Sequence, residues 1–263
     1  MPMDYQKLLS DQVVTVALGP SGSPLGVADV AEPTADELNN TGGVSGMQPA
    51  SQSISWNDWD FGTQASEVVN EPSLADASTY EEFGQSNYGG NISFYYPAEY
   101  DDNSNLHSII YDLTDIPGEL NDIAVRIDGE TFTDEAFADG DFVSVYRVQG
   151  EAEANPFTPG ESKRRTVNFI QKSEFSHFTV VGDHTITAIE PGAYASGDTG
   201  RIRASQGGRD TTNRLVFSTS DGDVINVYPG GFYEVTGSGT ATVTIEDPDT
   251  GDSVTVAVDS TGA

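Results

Sequence analysis

Short runs of alternating apolar and polar residues, ended repeatedly by glycine, proline or aspartate, constrain this chain to a mainly β fold. Alternation with period two buries one face of a strand and exposes the other, and the breakers turn the chain between strands. The runs are Gln12–Leu18, Ser53–Phe61, Asn91–Tyr96, Ile123–Asp128, Phe142–Gln149, Thr166–Lys172 and Phe175–Val181. Two segments carry helical spacing instead. Pro33–Asn40 (PTADELNN) has Thr34 as a cap, with Glu37 three residues later and Gly42 beyond the end. Residues 103–114 place Leu106, Ile109, Ile110 and Leu113 on one face. Between two of the strands, Gly150–Ser162 (GEAEANPFTPGES) reads as an extended loop.

From Thr185 the texture changes to seven short strands in about eighty residues, a spacing that matches an immunoglobulin-like sandwich. A boundary near Gly182–His184 divides the chain into residues 1–183 and 184–263. The first part holds 7 basic and 31 acidic residues, the second 4 and 11, so the negative charge is concentrated in the first.

The whole chain of 263 residues has a formal charge of −31, with only three lysines, Lys7, Lys163 and Lys172. Binding nucleic acid through its phosphates needs clustered Lys and Arg, so the charge excludes that class. Two origins stay open: an acidic surface of the halophilic kind, or a surface that repels a polyanion. The 12 Phe, 11 Tyr and 2 Trp supply enough apolar bulk for a core. No cysteine is present, which excludes disulfides and thiolate metal sites. The residues 1–19 have neither a basic start nor an apolar run of exporting or spanning length, so assembly in the host cytoplasm without membrane insertion is the expectation.

Candidate chemistry is sparse. There is no G-x-S-x-G elbow and no phosphate loop, and His107, His177 and His184 are scattered, so no catalytic residue, cofactor or metal is expected. Asp247–Asp252 (DPDTGD) resembles a calcium loop, but between two alternating segments it reads better as a hairpin turn. Lys163, Arg164 and Arg165 form the one cationic cluster. It serves either as an intersubunit contact with acidic neighbours or as an exposed strand start balancing local acids. Trp56 and Trp59, at odd spacing, fall on opposite sheet faces, either as one core residue and one interface anchor or both in core.

The C-terminal part resembles bacterial group 2 immunoglobulin-like domains through ITAIEP, GDTGRIRA (Gly197–Ala204), VFSTSDGDVINV, GGFYEVTGSGTATVTIE and DSVTVAV, with Phe217 where that family usually has Trp. The N-terminal part resembles the major tail tube proteins of siphoviruses. That resemblance rests on PTADELNN after the first strand, then on a strand block, a helix and long strands joined by a loop, over Met1–Val181. The resemblance implies a tail-tube β-sandwich or barrel with one or two short helices, followed by an Ig-like β-sandwich. It also implies a virion protein whose hexameric rings stack helically into the tail tube. Tape-measure, tail-tip and tail-terminator proteins are the implied partners, and genomic DNA would pass the lumen without specific binding. The scarce lysine and acidic composition point to a haloarchaeal tailed virus, with an actinobacterial phage as the alternative. The competing reading is a capsid decoration or surface adhesin of two β-domains.

Overall fold

A computed structural model describes residues 14–22, 24–40, 46–64, 68–69, 82–83, 87–99, 105–127, 136–153, 160–189, 192 and 194–261. The chain is mainly β. It divides into two compact units. The first comprises Met1–Val30, Asp36–Ala136 and Val143–His177; the second comprises Ala31–Ala35, Phe137–Phe142 and Phe178–Ala263.

In chain order the strands lying wholly or mainly in the first unit are β1 (Val14–Pro20), β2 (Gln48–Pro49), β3 (Ile54–Gln64), β4 (Val68–Val69), β5 (Glu82–Phe83), β6 (Asn87–Tyr95), β7 (Leu120–Ile127), β8 (Phe142–Glu153) and β9 (Arg164–Val180). Helix α1 (Ala35–Leu38) follows β1, and α2 (Leu106–Asp115) lies between β6 and β7. Seven strands form one sheet in the order β2-β1-β7-β8-β9-β6-β3, while β4 and β5 pair as a separate ribbon.

Two expectations are corrected here. The segments Thr166–Lys172 and Phe175–Val181 are a single 17-residue strand, β9, because nothing between them is a glycine or proline. The extended loop is shorter at its start than the sequence implies, since β8 runs on to Glu153. Gly150 stays inside that strand because the Phe169 ring lies over it; a Cβ there would come within 2.9 Å of the ring. Residues 154–159 of the expected loop lie outside the described residues.

One face of the sheet carries the core. Val14, Val16 and Leu18 of β1 lie beside Ile123 and Val125 of β7 and Tyr146 and Val148 of β8, and the set continues to Val167, Phe169, Ile92, Phe94 and Phe61. Helix α2 contributes to this core through Ile110, fully buried, with Leu106 and Leu113 packed at its margin. Its start is set by Asn105, whose side chain accepts from the His107 N–H at 3.0 Å and satisfies one of the free donors of the first turn. The aromatic rings meet edge to face, Phe61 with Tyr146 at 5.2 Å and Phe94 with Phe169 at 6.4 Å.

Strand β3 departs from simple alternation. Ile54 pairs with Phe94 and Trp59 with Ile92, and the register shifts between them. A bulge therefore interrupts the period, and both Ile54 and Trp59 pack against the core. Trp59 meets Phe61 edge to face at 5.9 Å. The Trp56 side chain lies outside the described residues. Where β3 meets β6 the sheet also needs glycine. Gly90 has φ +122° opposite Phe61, and a Cβ there would sit 1.9 Å from the Asp60 carbonyl oxygen. We expect Gly90→Val to cost about 3 kcal/mol or more, read as a loss of unfolding free energy in denaturant titration.

The second unit holds β10 (Thr187–Ile189), β11 (Tyr194–Ala195), β12 (Thr199–Arg201), β13 (Arg203–Gln206), β14 (Arg209–Asp210), β15 (Val216–Thr219), β16 (Ile225–Val227), β17 (Phe232–Val235), β18 (Gly239–Glu246) and β19 (Ser253–Thr261). They make three small sheets, β10-β13-β14, β11-β19-β18-β15 and β12-β17-β16. One core of Ile202, Leu215, Ile225, Tyr233, Val235, Val243, Ile245, Val256 and Val258 lies among them. Asp247–Asp252 closes the β18–β19 hairpin. Gly251 N–H donates to the Asp247 carbonyl at 2.8 Å, and the buried Asp247 carboxylate accepts from Asp249 N–H at 3.0 Å and Gln206 Nε2 at 2.8 Å.

Candidate assembly surface

The second face of the seven-stranded sheet is built in two halves. Over β1, β7 and β8 it is covered. Cross-strand pairing puts Thr15, Ala17 and Gly19 beside Arg126, Ala124 and Asp122, and these beside Val143, Val145 and Arg147. Val27 and Val30 are buried as well, and Asp122 holds the chain around Val27 in place. Its fully buried carboxylate accepts from Val27 N–H at 3.0 Å, Gly22 N–H at 3.2 Å and Arg147 Nε at 2.9 Å. Arg147 donates in turn to the Val27 carbonyl at 2.8 Å, and its hydrogen bond to Asp122 raises its pKa. Gly26 permits this approach: a Cβ there would lie 2.0 Å from the Pro20 carbonyl oxygen.

Over β9, β6 and β3 the same face is open. Register places Asp60, Asn91 and Asn168 in one row, all exposed, and Gly62, Gly89 and Ile170 in the next. Ser93 and Thr166 bridge β6 and β9 by a hydroxyl–hydroxyl bond of 2.8 Å. A shallow depression of about 300 Å³ beside them is lined by Pro117, Gly118, Gln149, Glu151, Asn168 and Ile170. Gln149 Nε2 donates to the Gly118 carbonyl, which fixes its rim. The open half is thus polar, with Asp60 and Glu151 as acids, Lys172 two residues beyond Ile170 on β9 as a cation, and Ile170 exposed at 51%.

This open half ends at β3, the outermost strand. Its eleven residues have β6 on one side and, among the described residues, no strand on the other. The opposite edge, β2, is only two residues long. A long free edge presents a row of backbone donors and acceptors that another chain can pair with, and short edges limit such pairing. The sheet therefore has one long edge, β3, and one short edge, where β2 pairs only with Ala17 and Leu18 of the seven-residue β1.

The cationic cluster is split by the structure. Arg165 is 3% exposed and consumed within its own chain: it bridges to Asp115 at 2.7 Å, donates to the Tyr111 carbonyl at 2.6 Å and to Thr114 Oγ1, and stacks over the Tyr111 ring at 3.9 Å. The Tyr111 hydroxyl has a raised pKa, through burial first and the Asp115 charge second. Arg164 is half-buried between Asp58 and Ser55, with Glu161 at 3.5 Å. Lys163 alone of the three is exposed. We expect Arg165→Ala to cost about 1–3 kcal/mol of stability by leaving a cavity and removing the donors to the Tyr111 carbonyl and Thr114 Oγ1 at the end of α2, while the half-exposed Asp115 is solvated by water. Lys163→Glu is expected to leave the melting temperature unchanged. Thermal unfolding of the two variants separates the roles.

His107 accepts or donates through Nδ1 with the buried Ser53 Oγ at 3.0 Å, and His177 Nδ1 lies 3.4 Å from Ser144 Oγ. No cluster of metal-ligating groups occurs among the described residues, and no helix there is long and apolar enough to cross a membrane. Sequence reasoning did not find the Asp122–Arg147 pin or the free β3 edge.

Comparison with curated proteins gave no match. Among protein families, the profile described as phage tail tube protein matches residues 1–184, most of the chain and every strand of the seven-stranded sheet. A free-edged sheet with one sealed face and a family match over that same sheet agree: this chain belongs to the phage tail tube protein family and is a structural component of the virion tail.

Proposed function

We propose that copies of this chain join through β3 of one copy and the β2–β1 edge of the next into rings of six, which stack head to tail into the tube that conducts the genome from capsid to host. The observation that carries this reading is the eleven-residue edge of β3, unpaired on its outer side among the described residues, next to an open polar sheet face. Closing the sheets of neighbouring copies into a barrel removes the exposed edge, and head-to-tail contacts that repeat with rotation give a filament. The open half of the second face then lines the lumen. Asp60 and Glu151 repel phosphates, while Asn91 and Asn168 offer no fixed positive charge for DNA to grip.

In this reading residues 1–183 form the tube domain, supported by the family match that ends at 184. Residues 184–263 are an Ig-like domain, supported by three small sheets of short strands around one core. Lys163 is the remaining intersubunit contact of the cationic cluster. Tape-measure, tail-tip and terminator proteins cap and gauge the tube, assembly takes place in the host cytoplasm, and the source is a halophilic siphovirus.

Hydrogen exchange tests the edge pairing. In dilute monomer, the β3 amides that point away from β6 exchange freely; on assembly they gain protection of at least about a hundredfold. Unchanged exchange of those amides in assembled material contradicts the reading.

A further inference from the structure

The second unit carries an exposed aromatic platform that its own packing does not use. Phe232 on β17 is 54% exposed and Tyr228, just after β16, is 47% exposed. They are cross-strand neighbours: Val227 pairs with Tyr233, and Tyr228 N–H donates to the Phe232 carbonyl at 2.8 Å. On the other side Arg201 of β12 pairs with Phe232, its guanidinium 5.1 Å from the ring centre. Arg201 is held in that pose by the Gly230 carbonyl at 2.8 Å and Asn213 Oδ1 at 2.7 Å. Glu234 and Asn226 form the next cross-strand pair along the same outer face. The result is two adjacent rings, one of them braced by a fixed guanidinium, with amide and carboxylate groups at the rim.

We propose that this platform is a binding site for an uncharged pyranose sugar, as found in a neutral surface polysaccharide. Size argues against a protein partner. Two aromatic side chains half exposed offer roughly 200 Å², against about 800 Å² per side in a stable protein interface. Charge narrows the chemistry further. Arg201 and Glu234 cancel within the patch, while the chain as a whole carries −31. Polyanions, including nucleic acids and acidic glycans, are repelled by that field, and polycations are drawn to the acidic remainder of the surface. A purely apolar ligand would leave the polar rim desolvated and unpaired. A pyranose meets every requirement: its C–H face packs on the rings and its hydroxyls bond to Asn226, Asn213 and Glu234. The fixed Arg201 lowers the ordering cost of binding. This assignment is independent of the tube reading.

The test uses the full chain and three neutral probes, maltohexaose, cellohexaose and mannohexaose, with a hyaluronan hexasaccharide as the anionic comparison. Binding is followed by shifts of backbone amide resonances. At least one neutral probe is expected to bind with a Kd of about 1 mM and to shift the amides around Phe232 and Tyr228. Phe232→Ala is expected to weaken it about tenfold with an unchanged circular dichroism spectrum; should that variant not fold, Tyr228→Ala is read in its place. Failure of all three neutral probes, equal binding of the hyaluronan probe, or undiminished binding by a folded variant overturns the proposal.

Discussion

Purified protein is expected to form tubes at molar salt and to stay dispersed below roughly 0.1 M, with at least a tenfold difference in the sedimented fraction. The physical cause is the charge of −31 on every copy. Strands of adjacent copies must approach to about 4.8 Å to pair. At 0.1 M salt the screening length is about 10 Å, so carboxylates on both sides of a forming contact still repel; at 1 M it is about 3 Å. Of the 11 basic residues, Arg126, Arg147 and Arg165 are buried or committed internally, so at most eight cations stand against 42 carboxylates in each copy. Circular dichroism on the same samples separates two cases. Loss of assembly with the fold retained places the repulsion at the contacts. Loss of both at low salt marks a halophilic fold, and a fold that persists in dilute buffer retires the halophilic origin. Salt-independent assembly contradicts the electrostatic account.

The second large effect lies in the first unit's core. Asp122→Ala is expected to remove about 3–5 kcal/mol of unfolding free energy, read from chemical denaturation. The carboxylate serves three donors at once, two backbone N–H groups and the Arg147 guanidinium, and it is fully buried. Removing it strands a partly buried cation and releases the chain around Val27 from the sheet. Asp122→Asn, which keeps the shape and an acceptor, is expected to lose less. Equal stability of the wild type and the alanine variant would show that the covered half of the face is held by Val27 and Val30 alone.

The β character of the chain was legible because alternation and breakers are local signals. Helix α2 was legible for the same reason: Leu106, Ile110 and Leu113 repeat at helical spacing, and the structure buries that face. What failed to show were features set by distant partners. In LNDIAVRI nothing local marks Asp122 as buried, and it is a chain segment about a hundred residues earlier that covers it. Arg165 read as part of an exposed cluster with Lys163 and Arg164. Alternation turns it inward, where Asp115 and Thr114 wait at the end of α2. The bulge in β3 was hidden too, because three extra residues between Ile54 and Trp59 shift the register without leaving a distinctive composition. The free edge of β3 depends on strand order, which no local pattern encodes.

A helical reconstruction by electron cryomicroscopy of the particles formed at molar salt tests the central claim most directly. The account predicts a closed barrel in which the β3 backbone of each copy is hydrogen-bonded to a strand of the next, with Asp60, Asn91 and Asn168 turned towards the axis. Copies that remain monomeric at molar salt, or a tube wall in which β3 stays unpaired, would contradict it.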